Sequence, residues 1–438
     1  MTLPTETLGS VPAAEPLSAA TRRKAITACL LGNLFELFDF GVYGYFAVQI
    51  GRAIFPSTDP VVSILASFAT YGVGFLMRPV GAMVLGSYGD RHGRKAALAL
   101  TITLMAVATG LTGLVPSYGA IGVWAPILLV IFRLLQGFST GGEWGGATTF
   151  LVEHAPPGRR GFYGSLQQVS TGLAQILAIS SALLLNSVLS PEDLQAWGWR
   201  LPFLVGFILA PIGYYLRSRV EESPEYLAAA REKRIPAAPL RVALTTHREA
   251  VLVCFGLTMI WTVASYVFIT FLPTFAAQSL GMAPTLALTG TICASLANLA
   301  IVPLSGLALD RWGGRWPLIA SASGFALFSI PLFMLLAQAQ SLPALATVAI
   351  VAGALYGLYN GAAPTVLCTL FPTTVRYTAL SVGYNGAVMI FGGFAPFIST
   401  FLVRQTGAAI APSFYVTACA VATLAVLLWS RRRGAFIH

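Results

Sequence analysis

The chain has 438 residues, 56% of them hydrophobic and only 10% charged, with a net charge of +10. Soluble domains carry roughly 25% charge, so a water-soluble fold is excluded and the bilayer is the expected solvent. Continuous rather than alternating apolar runs argue against an outer-membrane barrel, whereas twelve spans of about 20 residues each fit the length.

In chain order, residues 1–24 read as a polar tail closing on Arg22, Arg23 and Lys24. The apolar run after it keeps Glu36 and Asp39, so it reads as a first span and not as a cleaved signal peptide. Six spans are expected at 25–50, 61–86, 96–115, 124–150, 162–188 and 200–218, within a first bundle over 25–218. A charged connection over 219–248 follows, where Ser223 as N-cap and Pro224 at the first helical position open a short helix. Six more spans are expected at 249–275, 284–310, 316–336, 343–369, 377–403 and 411–430, in a second bundle over 249–430 with a tail at 431–438.

Placement of the basic residues gives the orientation. Of the 26 Lys and Arg, 21 fall on alternate connections, against Arg52, Arg200 and Arg404 on the others and Arg78 and Arg133 inside spans. By the positive-inside rule both termini and the connection face the cytoplasm. The basic balance is therefore topological and implies no nucleic-acid partner. Cys29, Cys254, Cys293, Cys368 and Cys419 stand alone in apolar runs and read as small packing residues. Phosphate-loop and HExxH patterns are missing, so an enzyme is not expected.

The two halves repeat each other. GSYGDRHGRK at 86–95 recurs as GLALDRWGGR at 306–315, an offset of 220. Gly137, Gly141 and Gly145 recur as Gly353, Gly357 and Gly361, an offset of 216 that also relates Pro156 to Pro372 and Arg160 to Arg376. Glycines spaced by four lay a small-residue stripe where another helix backbone comes close. Two parallel six-span repeats are the plan of alternating-access carriers, which hold substrate at the repeat interface.

The loop GSYGDRHGRK and its weaker copy resemble the signature of the major facilitator superfamily. Within it the chain resembles the metabolite:proton symporters, through GNLFELFDFGVYG at 32–44, FLMRPVGAMVLG at 75–86, RLLQGFSTGGEWGGA at 133–147, WGWRLPFL at 197–204, EESPEY at 221–226 and FPTTVRYTALSVGYN at 371–385. GLYNGA at 357–362 and IFGGFAPFISTFLVRQTG at 390–407 look most like the citrate and tricarballylate branch, while FPTTVRYTALSVGYN looks as much like the proline and betaine branch. The resemblance implies an all-α membrane protein of twelve transmembrane helices in two six-helix bundles. It implies proton symport of a small polar metabolite, with the proton gradient in place of a cofactor. The expected partners are substrate, proton and lipid, and the chain is expected to act as a monomer in the bacterial cytoplasmic membrane.

A charge at mid-span costs about 2.5–3.5 kcal/mol on insertion scales, so each needs a reason. Five qualify: Glu36, Asp39, Arg78, Arg133 and Glu143. Glu36, Asp39 and Tyr43 share a face of span 1, and Arg133, Gln136, Thr140 and Glu143 share a face of span 4. Asp39 is the expected proton carrier, because low dielectric and a nearby arginine pull its protonation in opposite directions; Glu36 and Glu143 are candidates for the same coupling. Arg133 is expected to grip a carboxylate through its planar fork, or else to form a fixed ion pair with Asp39. Arg78, before Pro79, either meets substrate or bonds carbonyls that the proline frees. Tyr43, Gln136, Gln168, Asn298, Tyr359, Asn360, Tyr384 and Asn385 complete the expected substrate site, the amides because buried amides need partners and the tyrosines with core packing as their alternative.

Gly86, Asp90, Arg91, Gly93, Arg94, Asp310 and Arg311 are placed on cytoplasmic loops as charge contacts of an inner gate. The expected cargo is a small organic acid anion, a di- or tricarboxylate such as citrate. A zwitterion symporter, an efflux pump and a non-transporting receptor are the alternatives.

Overall fold

The computed structural model describes residues 19–92, 94–141, 143–153, 155–156, 158–208, 239–313, 315–372 and 375–432, and every regular element among them is helical. Span 1 is Ala19–Tyr45 continued by Ala47–Ile54; span 2 is Pro60–Leu76 continued by Arg78–His92; span 3 is Arg94–Leu114. Span 4 comprises Trp124–Thr140 and Glu143–Glu153, span 5 is Arg160–Val188, and span 6 is described over Gly198–Ile208. In the second half, span 7 is Arg248–Ser279, span 8 Pro284–Trp312, span 9 Trp316–Ala339, span 10 Leu342–Thr369, span 11 Thr378–Thr406 and span 12 Ala411–Ser430. The helix expected after Ser223 lies outside the described residues.

Local chemistry sets several ends. Asp59 caps span 2 by accepting from the Val61 backbone N–H at 2.9 Å, with Pro60 in the first turn where its missing N–H costs nothing. Ser341 caps span 10 on the Ala344 N–H in the same way. Spans 7 and 11 each contain a π-helical turn, Tyr266–Phe271 and Val388–Gly392, and such turns favour functional sites.

The internal repeat is visible in how helices touch. A Cβ on Gly137 would fall on the Gly74 carbonyl oxygen, and one on Gly141 on the Arg78 carbonyl oxygen. In the second half Gly353 meets the Ala294 carbonyl and Gly357 the Asn298 carbonyl. Gly74 pairs with Ala294, and Arg78 with Asn298, at the 220-residue offset read from the signature loop. Spans 2 and 4 thus cross as spans 8 and 10 do, backbone against backbone, which only glycine at the contact permits.

The halves meet at both ends. At the end away from the termini, Asp59 pairs with Arg404 at 2.7 Å, and Gly44 of span 1 packs on Thr270 of span 7. At the other end, Asp310 accepts from the Gly161 and Phe162 backbone N–H groups at 2.6 and 2.8 Å, and Thr365 donates to the Arg160 carbonyl at 3.0 Å.

Candidate functional site

Span 1 carries Asp39 and Tyr43 inward, and span 4 carries Arg133 and Gln136 against them. The Gln136 amide Nε2 donates to Asp39 Oδ2 at 2.5 Å and to Thr109 Oγ1 of span 3 at 3.0 Å. Asp39 Oδ1 has no partner. Arg133 is fully buried, yet Nε, Nη1 and Nη2 all lack a hydrogen-bond partner. Its Cζ lies 3.9 Å from the centre of the Tyr43 ring and 5.7 Å from that of Phe40. The Asp39 carboxylate and Arg133 therefore interact through space without forming the expected ion pair.

Arg78 is built alike. Its Nε and Nη2 lack partners, and its Cζ stands 4.2 Å from the Phe75 ring centre and 4.9 Å from Phe40. The carbonyl bonds that Pro79 offered as an alternative are not formed by those two atoms. Phe40 lies between two guanidinium groups, so both cations rest on aromatic faces and neither is consumed by an acid among the described residues. Tyr43 holds its place by donating to the Ser67 carbonyl at 3.1 Å and stacking on Tyr71.

The second half contributes neutral groups. Trp261 Nε1 donates to Asn360 Oδ1 at 2.8 Å, and Asn360 Nδ2 donates to Asn298 Oδ1 at 3.2 Å. Tyr384 of span 11 stacks on Trp144 of span 4 with ring centres 3.7 Å apart and planes 8° apart, and Trp261 meets both edge-on or tilted. This aromatic stack joins the halves, as does Asn385 Nδ2, which donates to the Gly141 carbonyl at 3.3 Å. Tyr266, in the π-helical turn of span 7, closes edge-on against Phe75 and Tyr71 from the other direction.

Several expectations change. Tyr359 donates its hydroxyl to the Leu257 carbonyl at 2.5 Å, so that donor is engaged within the protein. Tyr43 and Gln136 serve Arg133 and Asp39, with the polar atoms that reach partners held by protein. Asn360 uses both ends of its amide within the protein, while Gln168 is buried on span 5 and Asn298 faces Gly172 of the same span. Asp310 and Arg311 are not loop residues: both lie in the last turn of span 8. Among the described residues Asp310 makes no charge pair but caps the start of span 5, where unpaired N–H groups welcome a carboxylate, and Arg311 leans on Trp312 at 5.7 Å.

Asp90 and Arg91 likewise close a helix and Arg94 opens one. The side chains of Glu36, Glu143, Asp90, Arg91 and Arg94, and the surroundings of Gly86, lie outside the described residues, as does Gly93 altogether. Thr109, Phe40, Phe75 and Trp144 were missed, since nothing in a lone span threonine or phenylalanine marks which distant helix it meets.

Comparison with known proteins identifies this arrangement. Residues 24–240 match the sugar (and other) transporter family and residues 254–435 match the Major Facilitator Superfamily. A citrate-proton symporter of Klebsiella pneumoniae is 37% identical over 418 residues, covering 95% of this chain and 94% of its own. The chain belongs to the major facilitator superfamily. It is a proton-coupled membrane symporter of a small molecule and not an enzyme. A proline/betaine transporter of Escherichia coli K12 is 34% identical over 412 residues, covering 92% and 82% of the two chains. The solved proton:xylose symporter XylE shares the fold, with a TM-score of 0.78 at 16% identity over 95% of this chain and 96% of that one. Because citrate and betaine carriers are about equally similar to this symporter, its cargo has to be argued from the site.

Proposed function

We propose that this symporter imports a small organic acid anion, a di- or tricarboxylate such as citrate, with both termini in the cytoplasm. The observation that carries the reading is Arg133, a fully buried guanidinium whose three nitrogens have no hydrogen-bond partner among the described residues, beside Arg78, of which Nε and Nη2 are likewise unpartnered. Burying a guanidinium without hydrogen bonds is costly, and a carboxylate matches the planar fork of an arginine in two parallel bonds. Arg78, on the other side of Phe40, suits a second carboxylate of the same molecule.

Charge balance supplies the coupling. In the empty site the ionised Asp39 offsets Arg133 through space. An arriving carboxylate takes over that role, and Asp39 is relieved of its charge by binding a proton. Substrate without proton leaves excess negative charge in low dielectric, and proton without substrate leaves excess positive charge, so the two cross together. Gln136 and Thr109 keep Asp39 in place. At the cytoplasmic end, release of Asp310 from the start of span 5 opens the inner side, and its return closes it.

A zwitterion such as betaine or proline is the second reading, favoured by the cluster of Trp144, Trp261 and Tyr384. An aromatic cage for a quaternary ammonium needs rings spread around the cation. Rings stacked at 3.7 Å leave no room between them, which favours the anion. The test is uptake into proteoliposomes under an imposed pH gradient, with citrate, 2-oxoglutarate, shikimate and betaine compared. Accumulation of betaine in place of the carboxylates would refute the anion reading.

A further inference from the structure

The end of the bundle away from the termini carries three basic residues, Arg52, Arg200 and Arg404. The positive-inside bias makes cations rare there, so each invites a reason. Arg404 is held by Asp59. The other two line a single cavity of about 420 Å³, together with Ser117, Tyr118, Gly119 and Gln195. All its walls come from the first half, so it lies off the path between the halves.

No acidic residue lines this cavity. Asp193, on the neighbouring helix Pro191–Ala196, is engaged with Ser190. Arg200 is fixed by its nitrogens donating to the Ala196 and Val115 carbonyls at 2.7 and 3.1 Å, and by lying 4.2 Å from the Trp199 ring centre. Arg52, in the last turn of the helix that ends span 1, is exposed and makes no hydrogen bond or ion pair among the described residues. One guanidinium is thus anchored as a fixed wall and the other is free to close on a guest.

The surroundings define the guest. Tyr118 lines the cavity and is exposed, as are Trp124 and, next to the lining residue Ala196, Trp197; exposed tryptophan and tyrosine at span ends favour the depth of lipid headgroups. Below the rim, Val107, Leu111 and Leu114 line one exposed face of span 3, and Leu201, Val205 and Ile208 one exposed face of span 6. These spans are in contact, since Gly110 and Gly113 pack on Phe207 and Phe203. Two cations at headgroup depth above two apolar stripes match a molecule with an anionic head and hydrocarbon chains. We propose that the cavity between Arg52 and Arg200 binds the headgroup phosphate of an anionic phospholipid whose chains lie along spans 3 and 6.

Native mass spectrometry of the full-length protein tests this, after delipidation and titration with dioleoyl-phosphatidylglycerol or dioleoyl-phosphatidylcholine. The anionic lipid is expected to be retained preferentially. Arg52→Gln should weaken its retention about fivefold, the effect of one basic residue near an anionic lipid surface, and Arg52→Lys should restore it. Arg52 is exposed, so these variants leave the fold intact; Arg200→Gln, which also loses two carbonyl bonds, is a supporting variant only if its melting temperature is unchanged. Equal retention of the two lipids, or phosphatidylglycerol binding indifferent to Arg52→Gln, overturns the proposal. Displacement of the lipid by glycerophosphoglycerol or citrate at equal concentration overturns it too, by making the cavity a site for soluble anions. The readout is lipid retention and not uptake, so failure here leaves the transport reading untouched.

Discussion

Arg133→Met separates two effects of the same side chain. In the empty protein, three buried nitrogens of Arg133 lack partners, and an unsatisfied buried donor costs about 1–3 kcal/mol. The Tyr43 ring at 3.9 Å returns about 2 kcal/mol of that. Methionine fills most of the same volume without the charge, so in an Asp39→Asn background, where no buried carboxylate is stranded, the empty variant should be more stable, by about 2 kcal/mol. The attraction to Asp39 is lost as well, and comparing Arg133→Met in an Asp39→Asn background takes that contribution out. Substrate binding should move the opposite way. Two charge-assisted bonds at about 1.5 kcal/mol or more each amount to at least about 3 kcal/mol, or about 150-fold in Kd. The assay is thermal unfolding of the detergent-solubilised protein with and without citrate, alongside calorimetric titration. In the Asp39→Asn background the variant should melt higher than its Arg133 parent when empty and gain nothing from citrate, with Arg133→Lys intermediate because it keeps the charge but not the fork. An empty variant that melts lower, yet is still raised by citrate as far as the wild type, would refute the reasoning.

Asp39→Asn should still exchange labelled substrate across the vesicle membrane but no longer concentrate it under a pH gradient; concentrative uptake by this variant would remove Asp39 from the proton path. Thr109→Val takes away one of the two acceptors that hold the Gln136 amide, a loss of about 1 kcal/mol, so uptake should fall about fivefold and recover in Thr109→Ser. Asp310→Ala removes the cap on span 5, worth about 1 kcal/mol, and should shift the balance toward opening at that end; spin-label distances between spans 5 and 8 that stay as in the wild type would count against a gate there. Gly353→Leu would drive a side chain into the Ala294 carbonyl and should abolish folded protein, measured by size-exclusion chromatography, whereas Gly281→Ala, in open space at positive φ, should cost only about 1 kcal/mol of backbone strain.

Much of this protein was legible in one dimension. Hydropathy marks spans because a helix crossing lipid has to satisfy its own backbone within one continuous segment. The repeat offsets of 220 and 216 survive in the contacts of Gly137 with Gly74 and of Gly353 with Ala294, because a glycine stripe records a backbone crossing wherever it occurs. The scarcity of charge inside spans also singles out Asp39, Arg78 and Arg133, since residues that are costly to bury stand out against an apolar background.

Only the tertiary structure decided which polar atoms are already spent. Tyr359 and Arg133 look equally suited to hold substrate along the chain, yet one donates to a carbonyl 102 residues away and the other finds no hydrogen-bond partner among the described residues. Thr109 acquires its role from Gln136 on the next span, and Asp310 from the first turn of a helix in the opposite half. Hydrogen bonding is short-ranged and directional, so its partners depend on how helices are rotated and crossed, which composition and periodicity do not encode. A twofold, helical membrane carrier with a few buried charges is thus written along the chain, while the packing of its helices leaves nitrogens of Arg78 and Arg133 without hydrogen-bond partners among the described residues.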